Sequence, residues 1–407
     1  MKQVTRVMTF ILAFVLLLTG CGADPAGSET TSGAAVPDGD WIWADAYNGT
    51  FSDRGYYYCD DTYLRYLDTE SGLSTVLCSK VGCTHDQESC EARNTSVLMM
   101  LGGMCFWEEN LYYLESSAFG ADLYRCGAEG MGREKIGTLG KKYIDAQLSV
   151  TTCAFAQAGH YWYYSANAKG AVLNEETGIW TNKTVVTYIS RIDLRTGKED
   201  ILTEDWENML ELYAAQENAV LYTTRGIPEA DLRDPAYREQ LKKLPVTLHC
   251  WDGASGEASV VFKKDGSNFG KIHVVVGDKL YYGLSEQKED GGYTGSNYVF
   301  DLKTGSDTLF AENEAMQYLG GEYVKRMELG TEEWYIFGLE SGKQMPVEVS
   351  SGYPRMECWT DRGCILFWQA ELENGKKENR TGYVTYEAMA DGLQDDDILV
   401  FGRSING

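Results

Sequence analysis

Histidine is scarce in this chain: four among 407 residues, at positions 85, 160, 249 and 273. So small a set leaves little from which to build an imidazole-driven nucleophile. Also absent are the Gly-x-Ser-x-Gly elbow, the His-Glu-x-x-His helix, the EF-hand loop and the Gly-x-x-x-x-Gly-Lys phosphate cradle. Basic residues are in deficit, 36 Lys plus Arg against 61 Asp plus Glu, giving a formal charge of -25. A chain this acidic repels phosphate backbones, which sets nucleic acid aside as a partner and reads as a solvated surface. Proline numbers only 7. Beyond residue 20 no apolar run approaches the roughly 20 residues needed to cross a bilayer.

Aromatic residues and glycine are plentiful, with 27 Tyr, 10 Trp and 44 Gly, a strand-and-turn composition. One unit recurs: a short tyrosine-rich strand, a gap, then a second strand ending in a polar turn with glycine. Tyr56-Tyr57-Tyr58 leads to Leu64-Arg65-Tyr66-Leu67 and Ser71-Gly72. Leu111-Tyr112-Tyr113 leads to Leu123-Tyr124, and Tyr161-Trp162-Tyr163-Tyr164 to Tyr188-Ile189 and Thr196-Gly197. Further copies begin at Val220, Leu280, Glu322 and Cys364, so seven units lie roughly 40 to 60 residues apart. The expected fold is all-β, a propeller of seven blades with four antiparallel strands each, spanning residues 41–407. Separate sandwich domains would leave composition breaks between units, and none is seen.

The run from Pro228 to Leu244 interrupts the fourth unit with a helix-prone polar segment, which would protrude from one face of the disc. Asp395-Asp396-Asp397 precedes the apolar Ile398-Leu399-Val400-Phe401 and reads as a turn before a closing strand, with no site assigned. His160, His249 and His273 each adjoin a strand, where a hydrogen-bonded structural role is expected. Carboxylate pairs for glycoside cleavage have too many candidates for the sequence to choose two.

The N-terminus carries Lys2 and Arg6 ahead of an apolar run from Val7 to Leu18, the pattern of a secretory signal. Leu18-Thr19-Gly20-Cys21 resembles the lipobox of bacterial lipoproteins. The resemblance implies cleavage before Cys21, acylation of its sulfur and amine, and a position at the cell membrane on the extracytoplasmic side. Several acyl chains hold stably where one holds weakly, since each buried methylene contributes about 0.8 kcal/mol. Residues 1–20 are then the signal, 21–40 a flexible Gly-, Ala-, Ser- and Thr-rich tether, and the rest the folded body.

Ten cysteines remain besides Cys21, an even number that invites disulfides in an exported chain. The densest group is Cys78-x4-Cys83-x-His85-Asp86-x3-Cys90. A structural disulfide inside this array is the first reading. A zinc ion held by Cys78, Cys83, His85 and Cys90 is the second, because thiolate and neutral imidazole both suit that ion, although the short Cys-x-His step is not a common zinc spacing. Free thiols are the third. The array, the lipobox and the tyrosine strands together resemble exported propeller-like lipoproteins of anaerobic bacteria, a likeness that implies a fold and a location but carries no activity. Cys358 and Cys364 flank Thr360-Asp361-Arg362-Gly363, so a hairpin could set them opposite each other. Cys59, Cys105, Cys126, Cys153 and Cys250 lie in or beside aromatic strands and read as small apolar core residues.

The expected function is a cell-surface platform, anchored to the membrane by its lipid, that binds a protein, peptide or glycan. The competing readings are an enzyme of extracellular polymers, a glycan hydrolase or lyase, and a structural subunit of an envelope complex.

Overall fold

The computed structural model describes residues 36–405 except 45–48, 61–62, 86–89, 94–102, 175–177, 229–233, 265–268, 288–292, 330–333, 346, 349–354, 360–361 and 373–374. The lipobox and Cys21 lie outside the described residues.

Each tyrosine-rich pair from the sequence forms the second and third strands of one antiparallel sheet. Gly55–Cys59 pairs with Leu64–Asp68, and Lys279–Gln287 with Tyr293–Asp301. An inner strand precedes each pair and an outer strand follows it. Seven such sheets, covering 49–76, 104–138, 149–205, 208–264, 269–312, 314–345 and 355–405, ring a common axis as a seven-bladed β-propeller. We number the blades in that order.

The ring holds together because neighbouring blades bury apolar side chains against each other. Each of the seven interfaces between neighbouring blades has its own buried apolar cluster. Tyrosine suits these positions because its ring fills the interface while its hydroxyl reaches a partner on the next blade. Tyr57 donates to the Ala128 carbonyl at 3.1 Å, Tyr112 to Leu194 at 3.1 Å and Tyr163 to Glu217 at 2.6 Å, each crossing to the following blade.

Blade 7 joins blade 1 without exchanging a strand, since each takes its four strands from one end of the chain. Among the described residues, that seam's buried cluster is Tyr56, Leu67 and Ile365. Around them Phe51 packs on Tyr383, ring centroids 5.6 Å apart, and Tyr58 on Phe401 at 5.4 Å.

The two faces of the disc differ in their connections. On one, which we term the turn face, lie the links from first to second and from third to fourth strands. Several of the latter share one geometry: Asp68, Asp193, Asp252 and Asp301 accept backbone N–H groups two or three residues on. A glycine four residues after each, Gly72, Gly197, Gly256 and Gly305, takes φ near +70° and closes the turn. Blade 6 places Gly338 at the aspartate position, where a Cβ would meet the Ser341 hydroxyl at 2.1 Å. Its missing acceptor is supplied by Glu322, which takes the N–H groups of Glu340 and Ser341 at 2.8 Å each.

The other, the loop face, carries the links from second to third strands and from each blade to the next. The hairpin of blade 3, Tyr161–Asn174 with Ile179–Asp193, is the longest among the described residues. In blade 4 the helix expected between Pro228 and Leu244 forms over Pro235–Lys243, with Pro235 in its first turn and the Asp234 side chain accepting the Ala236 N–H at 2.8 Å. On the turn face, the third-to-fourth link of blade 7 departs from the common turn: it holds the helix Tyr386–Asp391 and then the Asp395–Asp397 segment, a single 3-10 turn ahead of the outer strand Leu399–Ile405, as its sequence suggests.

One strand was not legible as such. Ile42–Trp43 lies inside the ring as a fifth strand of blade 4, antiparallel to its inner strand, with Ile42 opposite Ala215 and Trp43 opposite Ala214. The pairing direction carries residues 40 to 44 from the turn face into the channel. At the mouth, Asp38 pairs with Lys303 at 3.0 Å, Lys303 pairs with Asp278 at 2.7 Å, and Val36 packs against the cluster between blades 4 and 5.

Candidate functional site

The cysteine array follows the outer strand of blade 1 and leads towards the inner strand of blade 2. Its backbone is pinned at several points. Leu77 N–H bonds the Leu64 carbonyl at 2.9 Å, Leu64 N–H the Ala92 carbonyl at 2.8 Å, and Cys83 N–H the Lys80 carbonyl at 3.1 Å. His85 adopts φ +60°, a left-handed conformation costly for a side-chain-bearing residue, and the Tyr63 hydroxyl donates to its carbonyl.

This path brings Cys78, Cys83, His85 and Cys90 together, with one donor atom from each, and all four donors lie within 4.8 Å of one another. His85 Nδ1 stands 3.5 Å from Cys90 Sγ. Cys90 is buried and the other three are half-buried. Burial pushes the Cys90 thiol up to about 11. Burial also raises Cys78, but hydrogen bonds from the Lys80 backbone and from the Cys83 and Cys90 side chains outweigh it and hold that thiol below its ordinary value. This donor set can hold a metal ion. In the structure Cys78, Cys83 and Cys90 are free thiols, three sulfurs facing one imidazole.

The remaining cysteine expectations divide. Cys105, Cys126 and Cys250 are buried within or beside the aromatic strands as expected, whereas Cys153 is exposed, beside a register shift in the inner strand of blade 3. Cys358 and Cys364 are not opposite each other. A four-residue connection pairs Cys364 with Trp359 and Cys358 with Ile365, one place out of register.

The other histidines have structural partners. His160 Nδ1 is 3.2 Å from Glu217, and His249 Nε2 is 2.9 Å from Thr224 Oγ1 with its ring stacked on Tyr222. Burial pushes His273 down to about 4, and its Nε2 meets Asn297 Oδ1 at 3.0 Å.

The second concave feature is a cavity of about 600 Å³ on the axis. The N-terminal strand forms one wall, and Trp43, Phe51, Phe155 and Tyr318 give the lining an aromatic character, with Asp40 and Glu340 as its carboxylates. Trp43 packs on Tyr213 at 5.6 Å and on Tyr318 at 6.4 Å between ring centroids. Sequence reading missed this cavity because its lining comes from the inner strands and from the strand Ile42–Trp43, which carry no repeat signal.

No family model and no curated protein matches the chain. Among solved structures it is similar to an oligogalacturonate lyase in complex with manganese, at 12% identity and TM-score 0.50, over 90% of this chain and 98% of that one. It is also similar to a puromycin-hydrolyzing peptidase of Mycobacterium tuberculosis, at 10% identity and TM-score 0.52, over 88% of this chain and 56% of that one. At such identities the likeness concerns the propeller fold alone.

Proposed function

We propose that this protein is a lipid-anchored, extracytoplasmic binding platform whose propeller presents its loop face to a protein, peptide or glycan. The observation that carries the reading is the path of the N-terminal segment, which enters the ring from the turn face and is fixed there by Asp38, Val36 and the strand Ile42–Trp43. Taken as the tether its Gly-, Ala-, Ser- and Thr-rich composition leads one to expect, a chain of the length from Cys21 to Val36 would have a root-mean-square span of about 20 Å. A domain of this size has a radius of gyration of about 21 Å, so such a tether keeps the turn face towards the bilayer and turns the loop face outward. The outward face then carries the long hairpin of blade 3 and the helix of blade 4, the variable elements on which binding usually sits.

Replacing Cys21 with Ala should move the protein from the detergent phase to the aqueous phase, and unchanged partitioning would remove the anchor from this account. Pulldown and glycan-array screening with the full chain then test the platform. A ligand lost on shortening the blade 3 hairpin and kept by Trp43→Ala belongs to the loop face. The reverse pattern belongs to the aromatic cavity. Turnover of a polymer such as an oligogalacturonate by the full chain would replace the binding reading with the enzymatic one.

A further inference from the structure

We infer that Cys78, Cys83, His85 and Cys90 form a closed zinc site that fastens blade 1 to blade 2. A tetrahedral zinc ion with Zn–S of about 2.3 Å and Zn–N of about 2.0 Å separates its donors by about 3.5 to 3.8 Å along each edge. The four donor atoms here all fall within 4.8 Å of one another, and the Cys90 Sγ to His85 Nδ1 edge is 3.5 Å. A disulfide would use two sulfurs and leave a third thiol and an imidazole converging on the bond without purpose. The donors also select among ions, since three thiolates and an imidazole suit zinc and are poor ligands for calcium, magnesium or manganese. Four protein donors leave no open coordination position, so the ion is structural rather than catalytic.

The place of the site explains its use. Blade 1 is built from strands of only 3, 5, 5 and 3 residues. On one side it meets blade 7 across a seam whose buried cluster, among the described residues, is Tyr56, Leu67 and Ile365. On the other, the array belongs to the cluster between blades 1 and 2: Cys90 and Ala92 are buried there beside Leu111 and Tyr113, with Cys78 and Cys83 packed against them. His85 is drawn in by the Tyr63 hydroxyl at the start of the third strand. An ion bound here ties the outer edge of a small blade to its neighbour, the kind of staple that small apolar cores require.

The test uses the full chain extracted in detergent with a reductant and no chelator. One zinc per chain is expected. After chelation, cobalt(II) added to the reduced protein should give thiolate-to-cobalt charge-transfer absorption and the intense visible bands of a tetrahedral site. Cys83→Ser and His85→Ala should each weaken cobalt binding by more than about 100-fold, beyond the usual cost of losing an outer-shell partner. Cys153→Ser, on blade 3, should leave the spectrum unchanged. Should the ligand variants fail to fold, the cobalt spectrum of the unmodified chain decides alone. A reduced, folded chain that takes up no cobalt overturns the proposal, as does a tetrahedral spectrum that survives both ligand substitutions.

Discussion

The turn face and the loop face of this propeller are built on opposite terms. On the turn face the chain repeats itself: an aspartate accepting two N–H groups, a glycine with positive φ, and the next strand. Where blade 6 drops the aspartate, Glu322 from the neighbouring turn restores the same two hydrogen bonds. The same face receives the N-terminal segment, whose Trp41 packs into the core between blades 4 and 5 and whose Trp43 lines the axial cavity. The loop face has no such common rule: the cysteine array, the long hairpin and the Pro235–Lys243 helix each occur in one blade. On the turn face four blades share one hydrogen-bonded turn and a fifth reproduces it, whereas the loop face carries a different element at each of these three places. On the proposed reading, the turn face serves stability and the loop face recognition, except at the cysteine array, where the inferred metal would fasten two blades.

The sharpest way to break this comparison is through Trp41, buried to 9% among Ala214, Leu221 and Phe269 between blades 4 and 5. If the N-terminal segment is part of the core, Trp41→Ala should lower unfolding stability by about 3 kcal/mol, the usual cost of emptying a buried aromatic site. Urea unfolding followed by tryptophan fluorescence measures it. A loss below about 0.5 kcal/mol, the scale of an ordinary surface change, would show the segment to be only laid against the ring and would detach the turn face from stability.

How much of this was legible in the sequence follows the same division. The second and third strands were, because burial on both faces forces runs such as Tyr112-Tyr113 and Tyr281-Tyr282 that stand out from their surroundings. The inner strands were not. Ser149–Ala158 mixes Ser, Thr, Ala and Gln because part of it faces the channel, and that composition resembles a loop. Ile42–Trp43 is invisible for another reason: a two-residue strand has no periodicity, and its partner, the inner strand of blade 4, lies far along the chain. The array was found by spacing, yet spacing cannot tell a disulfide from a shared ligand. Only the structure shows that His85 Nδ1 comes to Cys90 Sγ and that three sulfurs gather around one imidazole. The misplaced Cys358 and Cys364 pair shows the converse limit, since a shift of one residue in register undoes an inference made from flanking positions.

Acid offers a smaller and more distributed test of the turn face. Backbone N–H groups hold the Asp68, Asp252 and Asp301 carboxyls below the ordinary aspartate value, and the Arg195 side chain does the same for Asp193. A carboxylate depressed in the folded state contributes stability that is fully present above its unfolded pKa of 3.8 and is lost as pH falls through the lower folded value. Stability should therefore drop below about pH 4. The drop is modest because these groups are largely solvent-screened. Replacing all four with Asn, which keeps an acceptor and removes the charge, should flatten the dependence of the urea midpoint on pH in that window. An unaltered slope would mean that the repeated turns contribute nothing through their charge.

The smallest expected effect belongs to the loop face, and its smallness is the point. The Asp234 carboxylate caps the Pro235–Lys243 helix through the Ala236 N–H at 2.8 Å, an interaction of about 1 kcal/mol. If the helix is an appendage, Asp234→Ala should loosen the helix alone. Amide exchange within 236–243 should then rise about fivefold, as a change of that size implies, while the global urea midpoint stays within error. Equal losses locally and globally would show that the insertion is coupled to blade 4, and the contrast between a fixed face and a variable one would fail where it is most exposed.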